Sequence, residues 1–336
     1  MLDRWRVPIV QAPMAGGIST PALVAAVSRA GGLGFLASGM LTPDALREQL
    51  AAVRAELGDA PFGVNLFMPS PAPGDSAAIA AYASTLAPIA SRLGVALGEP
   101  TFATDAYDEK LALLLGDAPA VVSFAFGCPS RAVVAQLHDA GAQVWVTVTQ
   151  VDEAERAAAV GADAVVAQGN EAGGHRGAFV DDDRPQLPVL ELVAAIRRAT
   201  PSIPVVAAGA IMTGRHVAEV LQQGAAAAQA GTAFMLTPEA GTDATHRAAI
   251  AGEGPTTITR AFTGRRARGI ANAWTELVGD AAPSAYPQLM HLTAPLRTRA
   301  RQLGDADGIN LWAGERHAQA RAVPASDVVQ SLAAGV

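Results

Sequence analysis

A TIM (β/α)8 barrel with an added, mainly helical second domain is the fold class that this chain of 336 residues predicts. Three observations predict it. Short apolar runs rich in valine alternate with alanine-rich stretches of helical period, the pattern of repeated strand-helix units around a parallel sheet. About eight such runs occur, the number that a closed barrel requires. After Phe234 the alternation stops, and helical patterns, prolines and the basic cluster Arg265-Arg-Ala-Arg268 follow.

In chain order the strand runs are Val7 to Ala12, Leu33 to Ala37, Phe62 to Leu66, Ala120 to Phe124, Gln143 to Val148, Ala164 to Gln168, Pro204 to Ala208 and Ala226 to Ala230. Helical segments fall between them. Thr42-Pro-Asp begins one with capping residues, Asp152-Glu-Ala-Glu begins another with acids in its first turn, and Thr213-Gly-Arg begins a third. From Met68 to Pro119 there is more chain than one crossover helix needs, and Pro69-Ser-Pro-Ala-Pro-Gly74 opens it as an irregular loop. A helical insertion is expected there. Leu236 to about Leu311 is expected to form the second domain, covering the mouth of the barrel. From Trp312 helical spacing returns and completes the outer ring, so the barrel takes residues 1–235 and 312–336 and the covering domain 236–311.

Half of the chain is hydrophobic and 16% is charged, enough to bury one large core and a second small one. A net charge of −7 excludes a nucleic-acid partner, because phosphate binding needs clustered Lys and Arg and the arginines here are scattered among more numerous acids. A small-molecule partner fits better. The charged start, Met1-Leu-Asp-Arg-Trp-Arg6, leads into an apolar run shorter than the core of a secretory signal. No later run reaches the length of a membrane span, so no membrane partner is expected. Cys128 is the only cysteine, which excludes an internal disulfide and a cysteine metal cluster and suits a cytoplasmic protein. No metal is expected, because the histidines lack ligand spacing. Lys110 is the only lysine, in a helical, charged stretch, so Schiff-base and pyridoxal phosphate chemistries lose their usual nucleophile. No motif encodes the oligomeric state, and a homodimer stays open.

In barrels of parallel strands, catalytic and binding groups gather at the carboxyl ends, in the loops that lead to the next helix. Those ends carry Gln11-Ala-Pro-Met-Ala-Gly-Gly17, Asn65, Phe126-Gly-Cys-Pro129, Gln168 with Gly173 to His175, Gly209 to Gly214 and Gln229-Ala-Gly-Thr232. The loops after the seventh and eighth strands are a common phosphate site of such barrels. There, Gly209-Ala-Ile-Met-Thr-Gly214 and Gly231-Thr232 supply glycines and hydroxyls without a lysine. Asn65 and Gln168 can both donate and accept hydrogen bonds, as the edge of a flavin ring requires. The implied ligand is a phosphorylated heteroaromatic. The run Asn170-Glu-Ala-Gly-Gly-His-Arg-Gly177 follows directly on the apolar Ala164-Val-Val-Ala167, so His175 stands beside glycines where a buried strand ends. As an imidazolium it can bind an anion, and as a neutral imidazole it can take a proton; both roles stay open.

The runs Gln11-Ala-Pro-Met-Ala-Gly-Gly17, Gly31-Gly-Leu-Gly34, Gly63-Val-Asn65, Glu171-Ala-Gly-Gly-His-Arg-Gly177, Ala207-Ala-Gly-Ala-Ile211, Gln229-Ala-Gly-Thr232 and Gly264-Arg-Arg-Ala-Arg-Gly-Ile270 occur in order along nearly the whole chain. Together they resemble those of the nitronate monooxygenases, formerly called 2-nitropropane dioxygenases. The resemblance implies an FMN-binding TIM barrel with an added helical domain. It implies oxidation of alkyl nitronates with O2 to carbonyl compounds and nitrite, the nitronate and O2 being the small-molecule partners. It also implies FMN contacted by Asn65, Gln168, Gly173, Gly174, Gly209 and the run Gln229, Ala230, Gly231 and Thr232, with Pro13 and Met14 beside the ring. His175 becomes the catalytic base or substrate-orienting group. Two positions depart from the family's pattern: Ala210 stands where it usually shows a second glycine, and Arg266 where its motif commonly has proline. The run from Glu171 to Gly177 is shared with related flavin proteins. An FMN-dependent NAD(P)H:quinone or enoyl reductase is therefore the alternative, and a non-catalytic flavin-binding protein is the alternative from another class.

The remaining histidines, His138, His216, His246, His291 and His317, are expected on solvated surfaces, mostly of helices. Cys128 is expected to pack as a small hydrophobe. Arg265 to Arg268 is expected either to bind an anionic substrate or to form a solvated face, and Tyr286 is a pocket residue by analogy with the family.

Overall fold

The computed structural model describes residues 5–336, so the first four residues of the charged N-terminal run lie outside it. Each of the eight apolar runs contains a strand. These are β1 (Ile9–Gln11), β2 (Phe35–Ala37), β3 (Gly63–Phe67), β4 (Val121–Ala125), β5 (Gln143–Val148), β6 (Ala164–Gln168), β8 (Val205–Ala208) and β9 (Ala227–Ala230), while the two-residue strand β7 (Gly174–His175) lies outside the barrel. The barrel strands pair in the order β1-β9-β8-β6-β5-β4-β3-β2, all parallel, and a parallel bridge between Val10 and Leu33 closes the ring. The strands at that seam are short, and the Gln11 side chain reinforces it: Oε1 accepts from Phe35 N at 2.9 Å and Nε2 donates to Ser19 Oγ at 2.9 Å.

Side chains alternate across each strand, and this alternation builds the site. Inward residues such as Val10, Phe35, Trp145, Val166, Val206 and Ala227 fill the barrel floor, with the Trp145 ring 5.7 Å from Phe35 and 5.8 Å from Trp5. Outward residues such as Val146, Val165, Ala167 and Val205 pack on the surrounding helices. Two positions beyond the floor, the same inward face presents Asn65, Thr147, Gln168, Ala208 and Gln229 to the upper mouth.

Thr42 and Thr213 cap their helices, accepting from Ala45 N at 3.2 Å and from His216 N at 3.3 Å, and Asp152 and Glu153 open the helix Val151–Val160. The helix Ala325–Ala333 buries Val328, Val329 and Leu332 in the core that holds Leu23 and Val217, which closes the helical ring. The insertion after β3 carries helices Ser76–Thr85 and Ala87–Leu93 before the crossover helix Tyr107–Gly116. Its first two helices join a second core, where Ile79, Tyr82 and Leu86 meet Phe262, Trp274 and Leu289. The segment 236–311 is helical only in part. Beside Ala244–Ile250, Ala273–Val278 and Gln288–Leu303 it holds an antiparallel pair, β10 (Thr256–Thr259) and β11 (Ala267–Ile270). The β-branched run Thr256-Thr-Ile-Thr259 is the strand signal that a helical expectation overlooks. Strand β11 continues onto β7, placing Ala267 opposite His175 and Arg268 opposite Gly174. His175 therefore sits in a sheet and not in a free loop. No helix among the described residues is long and apolar enough to cross a membrane.

Candidate active site

A cavity of about 620 Å³ opens at the carboxyl ends of the barrel strands, inside the range of roughly 300–1,000 Å³ usual for small-molecule sites. Pro13, Met14, Asn65, Gln168, Gly173, Gly174, His175, Gly209, Gln229, Gly231 and Thr232 all line it. Ala230 does not. Strand alternation turns its methyl outward, into the core between sheet and helices.

Asn65 Nδ2 donates to Ser123 Oγ at 3.0 Å and to Ser123 O at 3.2 Å, which fixes the amide and leaves Oδ1 without a protein partner among the described residues. Gln168 is spent mostly on the chain itself: Nε2 donates to His175 O at 2.9 Å and Oε1 accepts from Gly177 N at 2.8 Å. One N–H of that amide remains for a ligand. Three arginines brace the same segment from behind. Arg176 Nη1 donates to Gly169 O at 2.7 Å and Nη2 to Gln168 O at 2.8 Å. Arg268 Nε donates to Asn170 O at 2.9 Å. Arg265 Nε donates to Arg176 O at 3.2 Å, Nη2 donates to Ala178 O, and the guanidinium carbon lies 4.2 Å from the centre of the Phe126 ring. Neither expectation for the basic cluster describes Arg265 and Arg268. Both are buried, because the carbonyls of the 170–178 segment need donors that water does not reach.

His175 is held on all sides. Its Nε2 is 2.9 Å from Thr263 Oγ1, and its ring is 5.9 Å from those of Phe126 and Tyr286 and 5.5 Å from Trp312. Among the described residues no group bonds Nδ1. Burial, then the nearby Arg265 and Arg297 cations, push the imidazolium down to about 3, against a smaller opposing pull from Asp181. The ring is neutral at pH 7. Phe126, at the end of β4, adopts φ +72°, a left-handed conformation that is costly for a bulky residue and characteristic of constrained sites. Its ring packs against Phe67 at 4.5 Å and Tyr286 at 5.6 Å.

A family model described as nitronate monooxygenase matches residues 3–335 of this chain. The chain belongs to the nitronate monooxygenase family. It is 41% identical to the nitronate monooxygenase of Paraburkholderia phytofirmans, over 97% of this chain and 91% of that protein. Among solved structures it resembles nitroalkane oxidase from Streptomyces ansochromogenes, with a TM-score of 0.95, 48% identity and coverage of 99% and 96% of the two chains. FabK from Thermotoga maritima matches less well, at TM-score 0.77 and 26% identity over 98% and 93%. The closer likeness to the nitronate and nitroalkane enzymes does not favour the reductase alternative.

Within the nitronate monooxygenase framework, Ala210 is informative. It lies at φ +46°, a backbone conformation that costs an alanine about 1–2 kcal/mol, while glycine there would cost about 0.5–1 kcal/mol of entropy. Ala210→Gly should therefore stabilise the fold by about 0.5–1 kcal/mol, read as a higher urea midpoint with an unchanged slope; an unmoved midpoint would show that the loop relaxes freely. Arg266, the other departure, pairs with Asp183 and contributes its carbonyl to Arg176 N at 2.8 Å.

Several side chains lie where sequence reasoning did not put them. His216, His246 and His317 are buried, not solvated, because backbone groups meet their ring nitrogens: Met212 N for His216, Trp312 O for His246, and Ile250 O and Gly254 O for His317. His138 is exposed beside Asp163, and His291 is half-buried. Lys110 is buried against Asp105 at 2.8 Å and Ser38 O at 3.0 Å, and it does not line the cavity. Cys128 packs on the outer core, where burial pushes its thiol up to about 11, so it is unreactive. Tyr286 does line the cavity. Thr263 and Arg297 were missed, and Phe126, expected at the strand ends, lines the cavity without having been given a role. Only the basic and aromatic residues around Gly264 and Tyr286 hinted that the covering segment reaches the site.

Proposed function

We propose that this protein oxidises alkyl nitronates with O2, by way of a flavin, to carbonyl compounds and nitrite. The observation that carries this reading is the convergence of a neutral, aromatic-walled His175 with a polar and glycine-lined mouth in one cavity of a nitronate monooxygenase fold. The flavin is proposed to be FMN. A cradle for its phosphate is supported by Gly231, whose φ of −108° does not demand glycine. An added Cβ there would meet only Ala12 and Met14, at 3.5 and 3.6 Å, so the missing side chain leaves room for a ligand and relieves no clash. By contrast Gly173 is required by the Ala313–Gly314 backbone, 2.4 Å from where its Cβ would lie. In this reading residues 1–235, completed by 312–336, hold the cofactor and 236–311 cover it.

When bound, the flavin accepts electrons from the nitronate and passes them to O2. The chain's own contribution is placement and exclusion of water. Asn65 Oδ1, the free N–H of Gln168 and Gln229 offer hydrogen bonds along the barrel mouth. Pro13 and Met14 supply an apolar wall. His175, neutral and fixed by Thr263, presents Nδ1 to the reacting carbon, where it can take the α proton of a nitroalkane. Phe126, Tyr286 and Trp312 hold the ring and keep water out.

Nitrite release from ethyl nitronate under air tests the reaction, and anaerobic flavin reduction by nitronate against NADH separates it from a reductase. Reduction by NADH alone would overturn the reading. For the cofactor, the purified protein should be yellow and release FMN on denaturation. Gly231→Val should keep the fold and lower FMN affinity by blocking approach to the anion. An unchanged dissociation constant in fluorescence titration would rule out the assignment of Gly231.

A further inference from the structure

A nitronate is an anion, yet the histidine beside it is neutral, so its charge must be met elsewhere. Arg297, on the helix Gln288–Leu303, lines the same cavity. It is half-buried, and among the described residues no carboxylate lies within salt-bridge distance of it. Its neighbour Arg301 is already paired, with Asp243 at 3.1 Å. Three neutral acceptors position the Arg297 guanidinium: Nε donates to Thr293 Oγ1 at 3.0 Å, Nη1 to Asn310 Oδ1 at 3.3 Å and Nη2 to Met290 O at 2.8 Å. A guanidinium has five N–H donors, so two remain. Burial and Arg301 push its pKa down to about 10, which still leaves it charged at pH 7. A half-buried cation with no acid, held open toward a cavity, is a cost to the fold that an anionic ligand relieves.

We propose that Arg297 is the anion-recognition group of this cavity, taking the planar oxyanion of the nitronate and so selecting the anion over the neutral nitroalkane. A nitronate spreads its charge over two oxygens of one plane, the geometry that a guanidinium fork meets with two parallel hydrogen bonds. Placement favours substrate over cofactor phosphate. Arg297 shares its wall with Tyr286 and Met290, and its acceptor Asn310 lies two residues before Trp312, whose ring touches His175. The glycines and hydroxyl suited to a phosphate lie on the loops after β8 and β9.

The proposal rests on the nitronate reading, and the test separates the two. In the FMN-loaded protein, two quantities are measured: KM for ethyl nitronate, and the dissociation constant of nitrate, an unreactive planar monoanion, read from its perturbation of the flavin absorbance. Arg297→Met should raise both by roughly 10–100-fold, the range for loss of a charged hydrogen bond, with a smaller effect on kcat. Arg297→Lys should recover part of the loss. Asn310→Asp provides a second arm that keeps the guanidinium: a carboxylate placed against Nη1 neutralises it internally and should weaken nitrate binding similarly. Unchanged nitrate and nitronate constants in folded Arg297→Met and Asn310→Asp would overturn the proposal. A fall in FMN affinity that accounts for the loss would also overturn it, assigning Arg297 to the cofactor. If the wild type binds nitrate through Arg297 but turns over no nitronate, the anion site stands and the reaction assignment fails.

Discussion

His175→Asn should give a folded, yellow protein whose flavin is reduced by a neutral nitroalkane about 10²–10⁴-fold more slowly than in the wild type, the usual cost of losing the base that takes the α proton, with a smaller loss for a preformed nitronate. Folding should survive because β7 is tied to β11 by its backbone, and FMN should be retained because none of its proposed contacts is made by the imidazole. Stopped-flow reduction without oxygen measures the step directly, and a wild-type rate would make His175 a structural residue. The lowered pKa adds a second signature. With the imidazolium pushed from 6.5 down to about 3, the neutral ring persists as pH falls through 6.5, so kcat/KM should show no histidine inflection there. Between those two values the unfolded chain binds a proton that the native ring refuses, so stability should fall as pH falls through this window. His246, lowered to about 4 by burial, works in the same direction. Comparing urea midpoints of wild type and variant across that window isolates the share due to His175.

The largest loss of stability is expected at Glu153. It is fully buried, and its carboxylate accepts from Thr149 N at 2.6 Å, Thr149 Oγ1 at 3.1 Å and Phe179 N at 2.6 Å. Glu153→Ala orphans two backbone donors at about 1–3 kcal/mol each, so stability should drop by roughly 2–6 kcal/mol. Glu153→Gln, which keeps one carbonyl oxygen, should fall between. A loss under about 1 kcal/mol in equilibrium unfolding would mean that water replaces the carboxylate. Because Phe179 follows Gly177, the same substitution should loosen the segment that carries His175.

The barrel was legible because its signal is local. Runs such as Gln143 to Val148 and Ala164 to Gln168 are apolar, β-branched and bounded, and strand alternation then delivers Asn65, Gln168 and Gln229 to one mouth whatever the loops do. The covering segment was less legible. Thr256 to Thr259 carries a β-branched mark, but Ala267 to Ile270 becomes a strand only by pairing with it and with β7, a long-range event with no short-range mark. Burial of Arg265, Arg268, His246 and His317 was invisible for a related reason: polar residues read as surface until distant carbonyls are brought against them. Glu153 looks like an ordinary first-turn acid, and only the fold turns it inward. Arg297 carries no motif, and its meaning comes from the absence, among the described residues, of an acid beside it.

One consequence of the β7–β11 pairing concerns how reactivity is tuned. In chain order His175 belongs to the barrel, but mechanically it is the edge of a sheet rooted in the cover, whereas Asn65, Gln229 and Gly231 stand on the barrel itself. The spacing between His175 and the barrel mouth is therefore set both by the Gln168 amide, which donates to His175 O at 2.9 Å, and by how two separate hydrophobic cores seat against each other. A misplacement of about 1 Å can cost 10²-fold in rate. Substitutions along the seam between the cores, remote from the cavity and touching no ligand, can thus retune the chemistry while leaving cofactor capture untouched.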